Sequence, residues 1–596
     1  MSENGYVVGP WRLDDLFAGV DAPAVDEAVA TLQEGVEAFA AYREQLSPDI
    51  APDSFRAIID DYEALYRQAS RLAGFSSLTF AADTQNPKAL DLRARMQQLV
   101  ADLDNRTMFF QLWWKSLDDE AAERLLEAGG PYRYWLEQLR LQKPYTLSEA
   151  EERIINLKDV NGVNALNTLY DAITNRYTFK LPVNGEEKEM TRGELTVYYR
   201  HPDPEMRAAA FQELFRVYSH DALILGQIYQ AIARDWLSEQ LKLRGYESPI
   251  AARNLSNDIP DDVVDTLLEV CRQNAVLFQR YFRLKARWLG MDRLRRYDIY
   301  APVGETDQEY DFAEAVTMVL ESYHQFAPEL ADLARRVLDE QHFDSEVRVG
   351  KASGAFCATI EPALTPWVLQ SYHGRPEDVA TMAHELGHAV HSMLAEHHPA
   401  LTQHPCLPLA ETASTFGEML LIDHLLADQP APDVEQALLF RQMDDAYATI
   451  MRQSFFAIFE RTAHDLIAAG GSVDAISDRY LENLREQFGD AVELTDDFRY
   501  EWQAIPHIYK TPFYVYAYAF GQLLVLALYQ QYRDEGESFK PRYRAILAAG
   551  GSDAPERILS RAGINIRDAA FWQGGFDVLA ELVDRLESLP VPESAG

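Results

Sequence analysis

Residues 384–388 read His-Glu-Leu-Gly-His. On a helix, histidines four residues apart share one face, so the imidazoles of His384 and His388 can reach a single cation. Glu385 lies beside that face, where its carboxylate can hold a water bound to the same ion and take its proton. That is the chemistry of metal-assisted hydrolysis. The bare pattern arises by chance in about one chain of this size in fifty, so its surroundings must carry the weight. Met382, Ala383, Leu386, Ala389, Val390 and Met393 pack apolar groups around the pair, and charge returns only at Glu396. A buried active-site helix needs such a setting.

A hydrolytic metal site also needs a third protein ligand and one open position. Pro376 suits a first helical position and Glu377 and Asp378 suit the first turn, so the spacing predicts a helix from 376. A third ligand further along that helix would require glycine at 391 and histidine at 394, and the sequence has His391 and Leu394. Glu396 lies too far along to fold back. The remaining donor is Glu411, expected on the next helix among Ala410, Ala413 and Ser414, small residues that let two helices approach closely. Pro405 and Pro408 break the chain between them. Glu418, two turns past Glu411, is placed to accept a bond from a ligand histidine and so fix its tautomer. The rival reading makes both glutamates ordinary surface positions. So apolar a helix should not bury carboxylates without partners.

The elements that must hold these residues are mostly helical. Val25, Val29, Leu32, Val36 and Phe39 recur at four- and three-residue spacing, and similar patterns run through 54–72, 88–127, 147–175, 204–244, 261–290, 308–340, 433–469 and 473–488. Strand signals are few. Tyr177–Leu181 followed by Val183-Asn184-Gly185 predicts a hairpin. Arg296–Val303, Val347–Ile360 and Trp367–Tyr372 are β-branched and aromatic enough for strands. The predicted class is mainly α, with a small sheet just before residue 373. No linker divides the chain cleanly, and the closing LPVPESAG is expected to be disordered.

The chain of 596 residues carries a formal net charge of -39 and a sequence pI near 4.7. Nucleic acid and anionic membranes bind clustered Lys and Arg, so both are excluded as partners. The three cysteines, Cys271, Cys357 and Cys406, are too few and too scattered for a disulfide framework and fit a reducing compartment. The N-terminus MSENGYVVGPW lacks the pattern of a signal peptide. Val515–Leu528 is too short to span a bilayer and reads as a buried helix. A cytoplasmic location is expected; the oligomeric state is left open.

Several stretches together resemble the oligoendopeptidase F branch of the thimet oligopeptidase family of zinc peptidases. SYHGRPEDVATMAHELGHAVHS resembles that family's metal helix and preceding loop, LPLAETASTFGEML its third-ligand helix, GPWRLDDLF its N-terminal signature, and WQAIPHIYKTPFYVYAYAFGQL its C-terminal active-site segment. The resemblance implies a large helical zincin-type peptidase with a small sheet beside the metal helix and a deep substrate channel. It implies one Zn2+ per chain and short peptides as substrates. It implies His384, His388 and Glu411 as ligands and Glu385 as general base. It carries a substrate-contacting histidine onto His507 and phenols near the scissile carbonyl onto the region of Tyr514 and Tyr518. If a helix starts after Pro512, Tyr514, Tyr518 and Gly521 share a face while Tyr516 points away, which favours the first two tyrosines. Ser353–Cys357 resembles the strand near the metal, where Gly354 and Ala355 could pair with an extended substrate. His373 and Gly374 are candidates to line the cleft. By the same resemblance the N-terminal helical region spans 1–200, the catalytic region 201–588 and the tail 589–596. Two other classes stay open, a zinc exopeptidase of related build and a helical binding protein with an accidental motif. A thermolysin-like aminopeptidase is disfavoured, since no Gly-x-Met-Glu-Asn element precedes the histidines.

Overall fold

The computed structural model describes residues 5–304, 309–427 and 432–590 and is dominated by α-helices. Proline opens many of them: Pro23, Pro52, Pro87, Pro204, Pro328, Pro376 and Pro555 each stand in the first helical turn. A missing N–H is harmless there because that donor has no partner inside the helix.

The strands are short. β1 (Phe179–Val183) and β2 (Glu186–Met190) form the expected antiparallel hairpin. Its turn is Asn184-Gly185, with φ of 55 and 83°, as a two-residue turn of primed type requires. β3 (Leu294–Arg295) pairs in parallel with β7 (Val492–Glu493). β4 (Phe343–Asp344), β5 (Ala355–Ala358) and β6 (Trp367–Gln370) form one sheet in the order β4-β6-β5, with β5 antiparallel to β6. All of β6 is buried, while β5 lies at the edge.

Two expected strands are cut down. Arg296–Val303 opens instead with a 3-10 turn at Arg296–Asp298, where three successive side chains are buried together. Arg296 bonds Glu501 at 2.7 Å and Asp298 bonds Arg207 at 2.9 Å, so two buried ion pairs anchor the turn. Within Val347–Ile360 only β5 is a strand. Upstream of it the buried Lys351 Nζ donates to the carbonyls of Asp344, Glu346 and Gln370 and draws the chain into a loop.

The chain forms two compact units, each gathered from three stretches, whereas the sequence reading divides it linearly near residue 200. The first comprises Met1–Lys143, Asp307–Gln429 and Leu528–Asn565. Its core includes Phe39, Phe55, Phe110 and Trp114 on the helices Pro23–Ala40, Pro52–Ala82 and Pro87–Ser116. The GPWRLDDLF stretch straps this unit's sheet. Arg12 N–H donates to the Gln341 carbonyl, Trp367 Nε1 donates to the Arg12 carbonyl, both at 2.8 Å, and Gly9 bonds Ser345. The second unit comprises Pro144–Thr306, Pro430–Ala527 and Ile566–Gly596. Tyr229, Phe459, Trp502 and Tyr509 build an aromatic core there. Of the expected tail 589–596, residues 591–596 lie outside the described residues. No disulfide joins Cys271, Cys357 and Cys406. No helix among the described residues is long and apolar enough to cross a membrane.

Candidate active site

The helix Pro376–Leu394 begins where the sequence expects it. Asp378 caps it, its Oδ2 accepting the N–H groups of His373 at 2.9 Å and Arg375 at 3.0 Å. One face of the helix is buried through Val379, Met382, Ala383, Leu386, Ala389, Val390 and Met393. On the other, His384 and His388 stand one turn apart with ring centroids 4.8 Å from each other.

Glu411 is not inside a regular helix as expected. The short helix Leu407–Ala410 ends at it, a turn follows, and the next helix runs Ser414–Ala427. Ser414 holds the turn, its Oγ lying 2.8 Å from Glu411 Oε2 and 3.2 Å from the Glu411 carbonyl oxygen. The groove that receives the turn is made by Gly387. A Cβ there would fall 2.6 Å from both the Ala413 carbonyl oxygen and Ser414 Cα, too close for any larger residue. The glycine inside His-Glu-Leu-Gly-His therefore sets how near Glu411 comes to the histidines.

Glu411 Oε2 lies 3.4 Å from His384 Nε2 and 3.5 Å from His388 Nε2. Ligands 2.0–2.1 Å from a tetrahedral zinc are separated by about 3.3 Å, so this donor set fits such a cation with one vertex free. Glu418 Oε1 lies 2.5 Å from His384 Nδ1. A carboxylate can only accept, so Nδ1 donates and Nε2 is the nitrogen turned toward Glu411. Burial opposes charge on the His384 ring, but Glu418, Glu411 and Glu385 outweigh it and lift the imidazole to about 9. Among the described residues two other groups have metal-binding side chains close together, Asp15–Glu340–His342 and Asp159–Asp235–Glu239. Their carboxylates sit largely at the surface, and His342 already bonds the Thr365 carbonyl at 2.9 Å and stacks on Trp367.

Glu385 is 6 % exposed and faces a cavity of about 550 Å³ lined by Ala355–Thr359, His384 and His388. Burial lifts its carboxyl to about 7, against the pull of His384 and with help from Glu411 and Glu418. Among the titratable residues of the lining, Cys357, His391 and His404 have no role assigned from the sequence. Burial holds the Cys357 thiol far above its usual range, lowers His391 to about 3 and lowers His404, so all three are uncharged at neutral pH. His391 had a signal, being three residues past His388 on the same face.

The other expected residues are placed as follows. Ala355 lines the cavity; Gly354, with φ of 86°, precedes it in open space. His373 and Gly374 do not line this cavity. They form the turn before the helix, where the Gly374 carbonyl accepts from Tyr310 N–H at 2.8 Å. In the second unit His507, Tyr514 and Tyr518 form a ring cluster with centroid separations of 6.3, 6.2 and 5.3 Å. The helix begins at Tyr516 and not just after Pro512, leaving Tyr514 in a turn, and His507 sits on a short helix, Pro506–Lys510. Tyr516 does point away. It is fully buried and its hydroxyl accepts from Asn257 Nδ2 at 2.9 Å, while Tyr514 and Tyr518 are partly open. Partial burial, then Arg452 and Lys510, hold the His507 imidazole below its usual value.

Known proteins share this sequence and fold. The sequence profile of peptidase family M3 matches residues 197–578, and that of Oligopeptidase F matches 113–179. Oligopeptidase PepF of Bacillus subtilis is 25% identical over 97% of this chain and 87% of its own length. Group B oligopeptidase PepB of Streptococcus agalactiae is 27% identical over 90% of this chain and 91% of its own. Among solved structures, a candidate peptidase of Chlamydophila abortus superposes with a TM-score of 0.88 at 23% identity, covering 98% of this chain and 100% of that one. Oligoendopeptidase-F from Enterococcus faecium gives 0.71 at 24% identity, covering 97% and 99%. The two structures share the fold, and the family profile runs unbroken through the His384–His388 helix, the Glu411 turn and the 507–518 segment. This chain belongs to peptidase family M3 and is a hydrolase of the metalloendopeptidase class.

Proposed function

We propose that the protein is a zinc-dependent oligoendopeptidase that cuts internal bonds of short peptides. The observation that carries this reading is the approach of Glu411 Oε2 to His384 Nε2 at 3.4 Å and His388 Nε2 at 3.5 Å, with one ligand atom from each residue within 4.8 Å of the others, beside the buried Glu385. The relatives' names, oligopeptidase and oligoendopeptidase, supply the preference for short substrates.

His384, His388 and Glu411 would hold one Zn2+ per chain. Bound there, it supplies Lewis acidity toward a water and a substrate carbonyl. Glu385 takes the proton of the attacking water and returns it to the leaving amine. Glu418 keeps His384 in the tautomer whose Nε2 faces the site. The free edge of β5 offers backbone partners to an extended peptide, beginning at Gly354 and Ala355. His507, Tyr514 and Tyr518 are assigned as donors to the carbonyl oxygen as charge develops on it. A donor so placed is worth about 3 kcal/mol.

Quenched fluorescent peptides blocked at both termini test the reading. Cleavage by the protein as purified, abolished by chelation and restored by one equivalent of Zn2+, is expected. Turnover of free-ended peptides alone would make it an exopeptidase, and no bound zinc with no turnover would make it a binding protein.

A further inference from the structure

The peptide group between Pro512 and Phe513 is gripped from both sides. Arg253 Nε donates to the Pro512 carbonyl oxygen at 3.1 Å, and the Phe513 N–H donates to Glu460 Oε1 at 2.9 Å. The two side chains come from different helices, Ala251–Asn257 and Arg452–Ala468. Between them Phe513 adopts φ of 59° while its ring is fully buried. A bulky aromatic residue in the left-handed region is strained, and the strain persists only where the surroundings over-determine it.

Glu460 is a costly residue for its place. It is fully buried, and burial lifts its carboxyl to about 8 despite the Phe513 N–H and Arg253. Its second oxygen, both ring nitrogens of the neighbouring His464 and the Tyr229 hydroxyl have no hydrogen-bond partner among the described residues. A leucine would pack there without that penalty. What the carboxylate provides is the one acceptor that fixes the Phe513 N–H. Tyr514 follows immediately, and its ring lies parallel to His507 and edge-on to Tyr518. The helix that carries Arg253 also holds the next turn, through Asn257 and the Tyr516 hydroxyl. Turning Phe513 back to an ordinary φ would swing Tyr514 out of this cluster.

We infer that Arg253 and Glu460 are positioning residues that lock the Pro512–Phe513 peptide in its left-handed bend and thereby aim Tyr514 and Tyr518 at the substrate. The inference rests on the donor role proposed for the two tyrosines.

The test uses the full-length, zinc-loaded protein and a blocked quenched peptide. Glu460→Gln keeps an oxygen acceptor for the Phe513 N–H and should leave kcat within about threefold of the parent. Glu460→Leu removes the acceptor and should lower kcat about tenfold with KM and zinc content little changed. Added to the double variant Tyr514→Phe, Tyr518→Phe, the leucine should cost almost nothing more, because it acts through those phenols. A Glu460→Leu protein with parental kcat, or one whose loss multiplies onto that of the double variant, overturns the inference. Should Glu460→Leu fail to fold, Arg253→Ala, at a half-buried position, must show the same kcat-selective loss, and parental kcat there is equally fatal. The tyrosine reading fails separately: if the double variant turns over like the parent, the donor role falls and the positioning role with it. A crippled double variant beside an active Glu460→Leu sinks the positioning role alone.

Discussion

The cluster at His384 and the cluster at Tyr514 reach their geometry by different means. In the first, polar atoms converge at 2.5–3.5 Å, with His384 bonded to Glu418 on one nitrogen and facing Glu411 with the other. One straight helix supplies two of the three prospective ligands, and a glycine-made groove delivers the third. In the second, three rings lie with centroids 5.3–6.3 Å apart, and the backbone that carries them bends through a strained residue held by Arg253 and the buried Glu460. A metal site can be assembled from rigid elements because the cation enforces the geometry when it arrives. Donors for a transient charge have no such template and must be aimed beforehand by their neighbours.

The contrast can be broken at its strongest point first. Glu385→Gln removes a base and no ligand, so turnover should fall by on the order of 10⁴ while zinc content stays at the parental level. Activity within tenfold of the parent, measured on a blocked peptide, would show that the base lies elsewhere. Tyr518→Phe should lower kcat about 10²-fold and leave KM nearly unchanged; the reverse split would make that ring a packing residue. Gly387→Ala sharpens the geometric half of the contrast. The added methyl meets the Ala413 carbonyl oxygen and must push the Glu411 turn away, so zinc affinity in competition dialysis should drop about thirtyfold. Parental affinity would mean the turn yields without cost.

The smallest effect concerns the buried wall behind the tyrosines. Burial lowers His464 to about 3, whereas the unfolded chain protonates it near the usual 6.5. Below pH 6.5 the unfolded state therefore binds the extra proton, and stability falls as pH drops toward 3. At pH 5 the loss is about 2 kcal/mol. Thermal melts at pH 7 and pH 5 should show a smaller drop for His464→Leu than for the parent. Glu460, lifted to about 8, acts oppositely between pH 4.5 and 8 in both proteins and cancels from the comparison. Equal drops would contradict a neutral buried His464.

The same contrast explains what could be read from the sequence. His384, Glu385 and His388 are legible because their relation is one helical turn, and Pro376 and Asp378 announce where that helix starts. Glu418 lies on the following helix, but the two-turn spacing from Glu411 that singled it out is interrupted by a break that is not legible. It depends on Ser414 bonding back to Glu411 and on the groove at Gly387, both of which need the second helix in place. Tyr516 pointing away follows from helical phase, yet the delayed start of its helix does not, since no local signal announces a left-handed phenylalanine. Arg296–Val303 has strand composition and opens with a turn whose Arg296 and Asp298 are held by Glu501 and Arg207, partners distant in sequence that no local pattern announces. The hairpin at Asn184-Gly185 needed no distant partner and appears as read.

The direct test of the proposed metal centre is a crystal of the zinc-loaded protein measured on both sides of the zinc absorption edge. One anomalous peak is expected, bonded to His384 Nε2, His388 Nε2 and a Glu411 carboxylate oxygen. A peak seated elsewhere, for instance at Asp15, Glu340 and His342, or one bonded to the two histidines without Glu411, would contradict it.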